Sequence, residues 1–301
     1  MLAALVILLI ICLTDGNSLN VDRWSAMHVA IKAWLNGEYP YTAVDHLHGR
    51  TSNFPGLLVL GIPFYILGNV GYLEVFAFLL LAYMLNQYLP IKQSISYMVL
   101  LLLSPAYWWE IFAISDLFSN IIIVVCLIIL LKKHTRDQPF NFPYFLGICT
   151  GFLFLTRGIV AIPLTLFLFK DFWRIPPVVK FKFIVAFLTT IALLIFSVLI
   201  YCPNLNTLKF YNPLVLQTNY LPHYIHIIAL SLPFLFAFKI KDFGFDFFKY
   251  ATILLLLPVI FSFIYRGFLY GVNLDFDLSY FSMALPFALV CIVQQYKVKP
   301  L

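Results

Sequence analysis

A carboxylate held just above a membrane can take the proton of an acceptor hydroxyl, and Asp22 stands about nine residues after the first apolar run. The same position also suits a plain solvated loop carboxylate. Its loop, Thr14 to Phe54, is the largest polar stretch and carries Asp22-Arg23-Trp24, His28, Lys32, Glu38, Asp45, His46, His48 and Arg50. His46 and His48 form an HxH pair, which is a weak metal signal without a third ligand at defined spacing.

A second, short polar stretch runs from Ser104-Pro105 through Tyr107-Trp108-Trp109-Glu110 to Ser115-Asp116. Carboxylates at the ends of apolar spans are costly unless they reach water, a cation or a partner. Glu110 and Asp116 are therefore candidates for orienting an acceptor or binding a divalent metal, magnesium or manganese, with Asp116 the ligand if there is one. The alternative is a pair of interfacial carboxylates beside an aromatic belt. No cofactor is required by the sequence. Trp24, Trp34, Trp108 and Trp109 fall on one side of the expected membrane, which hints at a stacked ligand such as a sugar ring. Arg23, Trp24, Trp108 and Trp109 are candidate contacts to such a ligand.

Arg157, Lys209 and Arg266 lie on the same side, and arginines at span ends can grip a phosphate in bidentate fashion. Arg157 and Arg266 are thus candidates for a lipid phosphate; the alternatives are snorkelling to head groups, or pairing of Arg266 with Asp275 or Asp277. Between Cys202 and Pro222, Asn212, Gln217 and Tyr220 are able to hydrogen-bond a hydroxyl-rich ligand, although loop polarity alone also explains them. Nothing resembles a Gly-rich phosphate loop, a Ser/His/Asp set, HExxH or a haem attachment motif.

The elements that must position these residues are membrane helices. Of 301 residues 63% are hydrophobic and 11% charged, with mean hydropathy +0.96, which excludes a soluble globule. Long apolar runs, rather than ten-residue alternation, exclude an outer-membrane barrel. The net charge of +6 sits in short clusters between apolar runs, where it reports topology, so no nucleic-acid partner follows. The five cysteines lack both an even count and metal spacing.

Lysine and arginine gather at Lys132/Lys133/Arg136, Lys170/Arg174/Lys180/Lys182, Lys239/Lys241/Lys249 and Lys297/Lys299, with Lys92 alone. Placing these inside predicts about ten spans, near 1–13, 71–89, 94–109, 116–131, 143–157, 158–169, 183–201, 223–238, 250–265 and 279–295. Both termini are then cytoplasmic. On this arrangement 13 of the 19 basic residues face inward and nine of the 13 carboxylates face outward, so the chemistry belongs to the outer face.

Pro55 to Gly68 is apolar but short, and reads as a helix in or dipping into the outer interface. Val21 to Leu35 reads as an amphipathic helix with Trp24, His28, Ile31 and Leu35 on its apolar face. The first run is short and lacks a signal peptide's positive region and cleavage site, so it is either a short span or the continuation of a longer chain. Spans five and six meet at Thr156-Arg157-Gly158 as a tight outward hairpin. The whole, 1–301, is one all-α integral-membrane domain.

Several phrases carry a resemblance: Asp22-Arg23 after the first span, Ala33-Trp34-Leu35-Asn36-Gly37-Glu38-Tyr39-Pro40-Tyr41, Phe54-Pro55-Gly56-Leu57, and Ser104-Pro105 through Asp116. Gly147 to Gly151 followed by Thr156-Arg157-Gly158 and Pro163 completes the set. In order and side, residues 1–200 resemble the GT-C superfamily of integral-membrane glycosyltransferases, in particular its bacterial mannosyltransferase-like branch. Residues 201–301 match only in adding spans and outer loops. The resemblance implies a polyprenyl-phosphate-linked sugar donor, a lipid, glycan or protein acceptor, and inverting transfer in a bacterial cell membrane. It also implies Asp22 as general base, Asp116 or Glu110 as a helper, and Arg157 or Arg266 at the donor phosphate. The chain departs from that pattern in its modest length, its short first span and a Phe-Pro where Pro-Pro is expected.

Two other classes compete with this expectation. A transporter or flippase would place ionisable residues near the bilayer midplane and show internal repeats. A scaffold subunit would use the loop from Thr14 to Phe54 to bind a partner and would tolerate single changes at Asp22, Asp116 or Arg266.

Overall fold

Proline punctuates this chain, and several helices begin on one, where its missing N–H would have been unpaired in any case. The computed structural model describes residues 2–135, 138–218, 222–271 and 278–295, and among these the regular structure is helical with no strand. The N-terminal part holds α1 (Leu2–Leu13), α2 (Arg23–Leu35) and α3 (Pro55–Ile66). Next come α4 (Tyr72–Tyr88), α5 (Ile91–Leu103), α6 (Pro105–Phe112) and α7 (Asp116–His134). They are followed by α8 (Pro143–Phe154), α9 (Ala161–Arg174) and α10 (Pro177–Leu199). The last part holds the short α11 (Leu205–Phe210) and α12 (Pro213–Thr218), then α13 (His223–Ala237), α14 (Phe245–Tyr270) and α15 (Leu285–Gln295).

A helix stands wherever an apolar run predicted a span, but lengths differ from the expectation. Four stretches are long and apolar enough to cross a bilayer: α7, α10, Phe245–Leu269 within α14, and Leu278–Gln295 ending in α15. Two bent helix pairs raise the number to six if each is one span. Helices α1, α3 and α8 have 12 residues each, about 18 Å at 1.5 Å per residue, short of a core roughly 30 Å thick. The expected span 94–109 is not continuous. α5 and α6 meet at 64° across Ser104, because Pro105 cannot donate a helical hydrogen bond and holds Ser104 extended.

The buried core is organised around α7, whose apolar window is 72% buried and packs on α4. α10 lies at the periphery with 11% of its window buried, and its main partner is α8. That pair touches backbone to backbone. A methyl at Gly147 would fall 2.6 Å from Phe183 O and one at Gly151 2.8 Å from Phe187 O, a small-xxx-small contact of the kind membrane helices use.

α2 and α3 pack against each other, and the buried face of α2 is turned from the expected one. Met27, Ala30 and Ile31 are buried, with Met27 and Ile31 closing over Gly61 of α3, while Leu35 is exposed. Burial against protein, rather than lipid, selects that face. The N-terminus of α3 is equally constrained: Gly56 N donates to Leu155 O at 2.8 Å, and a methyl at Gly56 would sit 2.6 Å from the same oxygen.

Lysines mark one end of the bundle. Lys133, in the last turn of α7, reaches Gln87 at the end of α4, and Lys170, late in α9, donates to Ile240 O beyond α13. The opposite ends of α7, α9, α13 and α14 surround the cavity described next.

Candidate functional site

Asp116 opens α7, with Ser115 capping the helix through Leu117 N. Opposite it, the turn between α8 and α9 presents Arg157. Arg157 Nη2 donates to both carboxylate oxygens of Asp116 at 3.0 Å and to Asn53 Oδ1 at 2.8 Å, and its Nε is buried without a partner. Gln217 of α12 joins two adjacent loops: its Oε1 accepts from Gly158 N at 2.9 Å and its Nε2 donates to Ser52 O at 2.5 Å.

These groups border a cavity of about 710 Å³, within the usual range of small-molecule sites. Asp22 and Arg23 enter it from the start of α2, Arg50 and Asn53 from the strap before α3, and Arg157 from its turn. His226, Ala229 and Leu230 of α13 and Pro258, Val259, Ser262 and Arg266 of α14 form the far wall. The α14 positions run from Arg266 through Ser262 to Val259 and Pro258, about 12 Å along the helix, and change from charged to apolar. The cavity therefore has charged walls and an apolar groove along α14.

Asp22 makes no ion pair among the described residues. Its carboxyl is raised above its ordinary value, first by burial, then by the nearby Asp45 charge, with its own backbone N–H and Arg23 opposing the effect and Asp116 adding to it. A carboxylate in that condition is a better proton acceptor than a solvated one.

Of the residues singled out from sequence, Asp22, Arg23, Asp116, Arg157, Gln217 and Arg266 line this one cavity. Others do not reach it. Glu110 is fully buried, and its oxygens are occupied: Oε2 accepts from Arg23 Nη1 at 3.2 Å and Oε1 from Ser282 at 2.7 Å. Arg23 also donates to Ser115 and Ser279 and lies between the rings of Trp109 and Tyr280, so its guanidinium is an internal tie between α2, α6 and α7. Trp24 bonds Asn69 and stacks on His28, and Trp108 bonds Leu102 O. Asn212 caps α12 through Leu214 N. Tyr220, Asp275 and Asp277 lie outside the described residues.

No three His, Cys, Asp or Glu side chains come together to hold a metal among the described residues. His46 is spent on structure: Nε2 donates to Leu19 O, and Nδ1 is hydrogen-bonded with Ser25 Oγ. Ile114, just before Ser115 and Asp116, adopts φ 46°, a strained value for a β-branched residue, and its side chain is buried over Gly71. The turn at Ile114 leads directly into Ser115, which meets Arg23, and Asp116, which meets Arg157.

Sequence reading missed Arg50, Asn53, His226 and Ser262 as cavity residues. Arg50 is exposed, has no carboxylate partner among the described residues, and lies 4.5 Å over the Tyr211 ring. The polar run Gly49 to Asn53 just before the Pro55 helix start was the available signal. The chain matches no protein-family model, no curated protein and no solved structure.

Proposed function

We propose that this protein is a membrane glycosyltransferase of the GT-C type, moving a sugar from a polyprenyl-phosphate donor to a lipid, glycan or protein acceptor. The observation that carries this reading is a single cavity in which an unpaired, proton-avid Asp22 faces arginines above an apolar groove. The groove suits the first units of a prenyl tail, Arg266, Arg50 and Arg157 suit its phosphate, and Asp22 suits the acceptor hydroxyl.

In the proposed step the acceptor oxygen forms a bond to the anomeric carbon as the bond from that carbon to the phosphate oxygen breaks. The hydroxyl proton passes to Asp22 and the electron pair stays on the lipid phosphate, whose growing charge the arginines stabilise. Attack opposite the leaving group inverts the anomeric centre. The wider reading has about ten helices crossing or entering the bilayer, both termini cytoplasmic and the cavity facing outward. It draws support from the lysines gathered at the ends of α7 and α9 remote from the cavity.

The test is release of polyprenyl phosphate by purified protein given a panel of polyprenyl-phosphate sugars with crude membrane acceptors, wild type against Asp22→Asn. Donor-specific release abolished in a folded Asp22→Asn protein supports the reading, and Asp22→Asn retaining most of the activity removes its base. The apolar groove would also suit a flippase for a lipid-linked solute. Movement of labelled lipid across proteoliposomes without bond cleavage is the result that favours that second reading.

A further inference from the structure

A second carboxylate meets Asp22 from behind the cavity wall. Asp45 is 5% exposed, and its Oδ1 accepts from the backbone N–H groups of Leu47 at 2.8 Å and Gly49 at 2.9 Å. Its Oδ2 is buried with no hydrogen-bond partner. Gly49, beside this orphaned oxygen, lines the cavity. A methyl placed on Gly49 would stand 2.8 Å from Asp45 Oδ2 and 3.3 Å from Asp22 Oδ2, so both oxygens crowd the one point that the missing glycine side chain leaves open.

We propose that Asp45 is a positioning residue that acts through Asp22, presenting an orphaned oxygen across Gly49 that strengthens Asp22 as the proton acceptor of the cavity. The inference rests on the role of Asp22 as base given above. A carboxylate facing another resists becoming fully ionised, and a stronger base takes more of the acceptor's proton in the transition state. The order of influences on Asp22 agrees, since Asp45 follows only burial itself. The remaining charged or titratable groups facing this space are Arg23 of α2, Arg50 of the strap, Asp116 of α7, Arg157 of its turn, His226 of α13, Arg266 of α14 and Tyr280 of the Leu278–Ala284 segment. Arg23 opposes the effect and Asp116 adds to it more weakly.

Asp45→Asn tests this with little change of shape, because an asparagine Oδ1 still accepts from Leu47 and Gly49 while Nδ2 turns a donor toward Asp22. Two readouts are needed: the pH profile of glycosyl transfer, and carbodiimide labelling of Asp22 against pH, read by mass spectrometry with Asp22→Asn as the blank. Carbodiimides modify the protonated acid, so labelling reports the proton on Asp22 without any substrate. In Asp45→Asn the labelling midpoint and the acidic limb of the rate profile both move to lower pH, and the plateau rate falls. Asp45→Ser, which removes the charge while its hydroxyl can still accept from the Leu47–Gly49 turn, moves the midpoint in the same direction and serves if Asp45→Asn does not fold. An unchanged midpoint in the folded variant overturns the proposal, even where transfer is observed. A shifted midpoint with no transfer from any donor upholds the coupling of Asp45 to Asp22 and rejects the glycosyltransferase reading instead.

Discussion

Arg157 holds Asp116 through one nitrogen, Nη2, which lies 3.0 Å from both carboxylate oxygens and 2.8 Å from Asn53 Oδ1. Three separate segments, the strap before α3, the start of α7 and the turn after α8, are thereby joined at the cavity. Both partners are largely buried, so removing one leaves an uncompensated charge. Asp116→Ala is expected to lower stability by about 3–5 kcal/mol, read by thermal unfolding in detergent. A double-mutant cycle with Arg157→Gln should recover part of that loss; strictly additive losses would show that the pair is not coupled.

Asp22 couples function to stability in opposite senses. Its carboxyl prefers its proton more in the folded protein than in the unfolded chain, so the stability it contributes is present when it is protonated and is lost as pH rises through its raised folded value. Asp22→Asn should therefore unfold at a higher temperature than wild type near neutral pH while transfer falls by a factor of about 10² to 10⁴. In wild type, transfer should fail on acidification at a higher pH than an ordinary aspartate would set. A variant that loses activity and also loses stability would point to a structural carboxylate.

The Arg23 and Glu110 pair behaves differently because it serves the fold. Both oxygens of Glu110 are engaged, one by Arg23 and one by Ser282, and the residue does not border the cavity. Glu110→Ala should cost about 3–5 kcal/mol of stability. At a temperature where the variant remains folded, KM for the donor should be unchanged, measured from initial rates.

Arg50 should show the reverse pattern. It is exposed, stacks on Tyr211 and faces the cavity, so Arg50→Gln should leave the unfolding temperature within a degree or two while weakening donor binding. An expected rise of roughly tenfold in KM with little change in kcat corresponds to about 1.4 kcal/mol of lost phosphate binding. An unchanged KM would remove Arg50 from the donor site.

Gly56 is a steric test of how the cavity is assembled. A methyl there would lie 2.6 Å from Leu155 O and 2.7 Å from Phe152 O, both backbone atoms that cannot swing away. Gly56→Ala should lower stability by about 1–3 kcal/mol and displace the turn that carries Arg157, so that transfer falls without any change to a charged residue. Thermal unfolding and initial rates on the same preparation check both effects.

Much of this protein is determined by hydropathy and charge alone. Apolar runs placed a helix at every expected position, and the lysine clusters separated one end of the bundle from the other, because lipid admits little else than satisfied helices. The same logic put Asp22, Asp116, Arg157, Gln217 and Arg266 on one side, and the structure brings them to one cavity. Pairing was decided only in three dimensions. Arg23 meets Glu110 from 87 residues away, and Arg157 meets Asn53 from 104, separations over which no local pattern specifies a contact. The buried face of α2 likewise followed Gly61, a gap on another helix, rather than its own periodicity. Composition tells which residues avoid lipid, but which of them spend their charge on each other and which remain, like Asp22, without a salt bridge depends on helix packing.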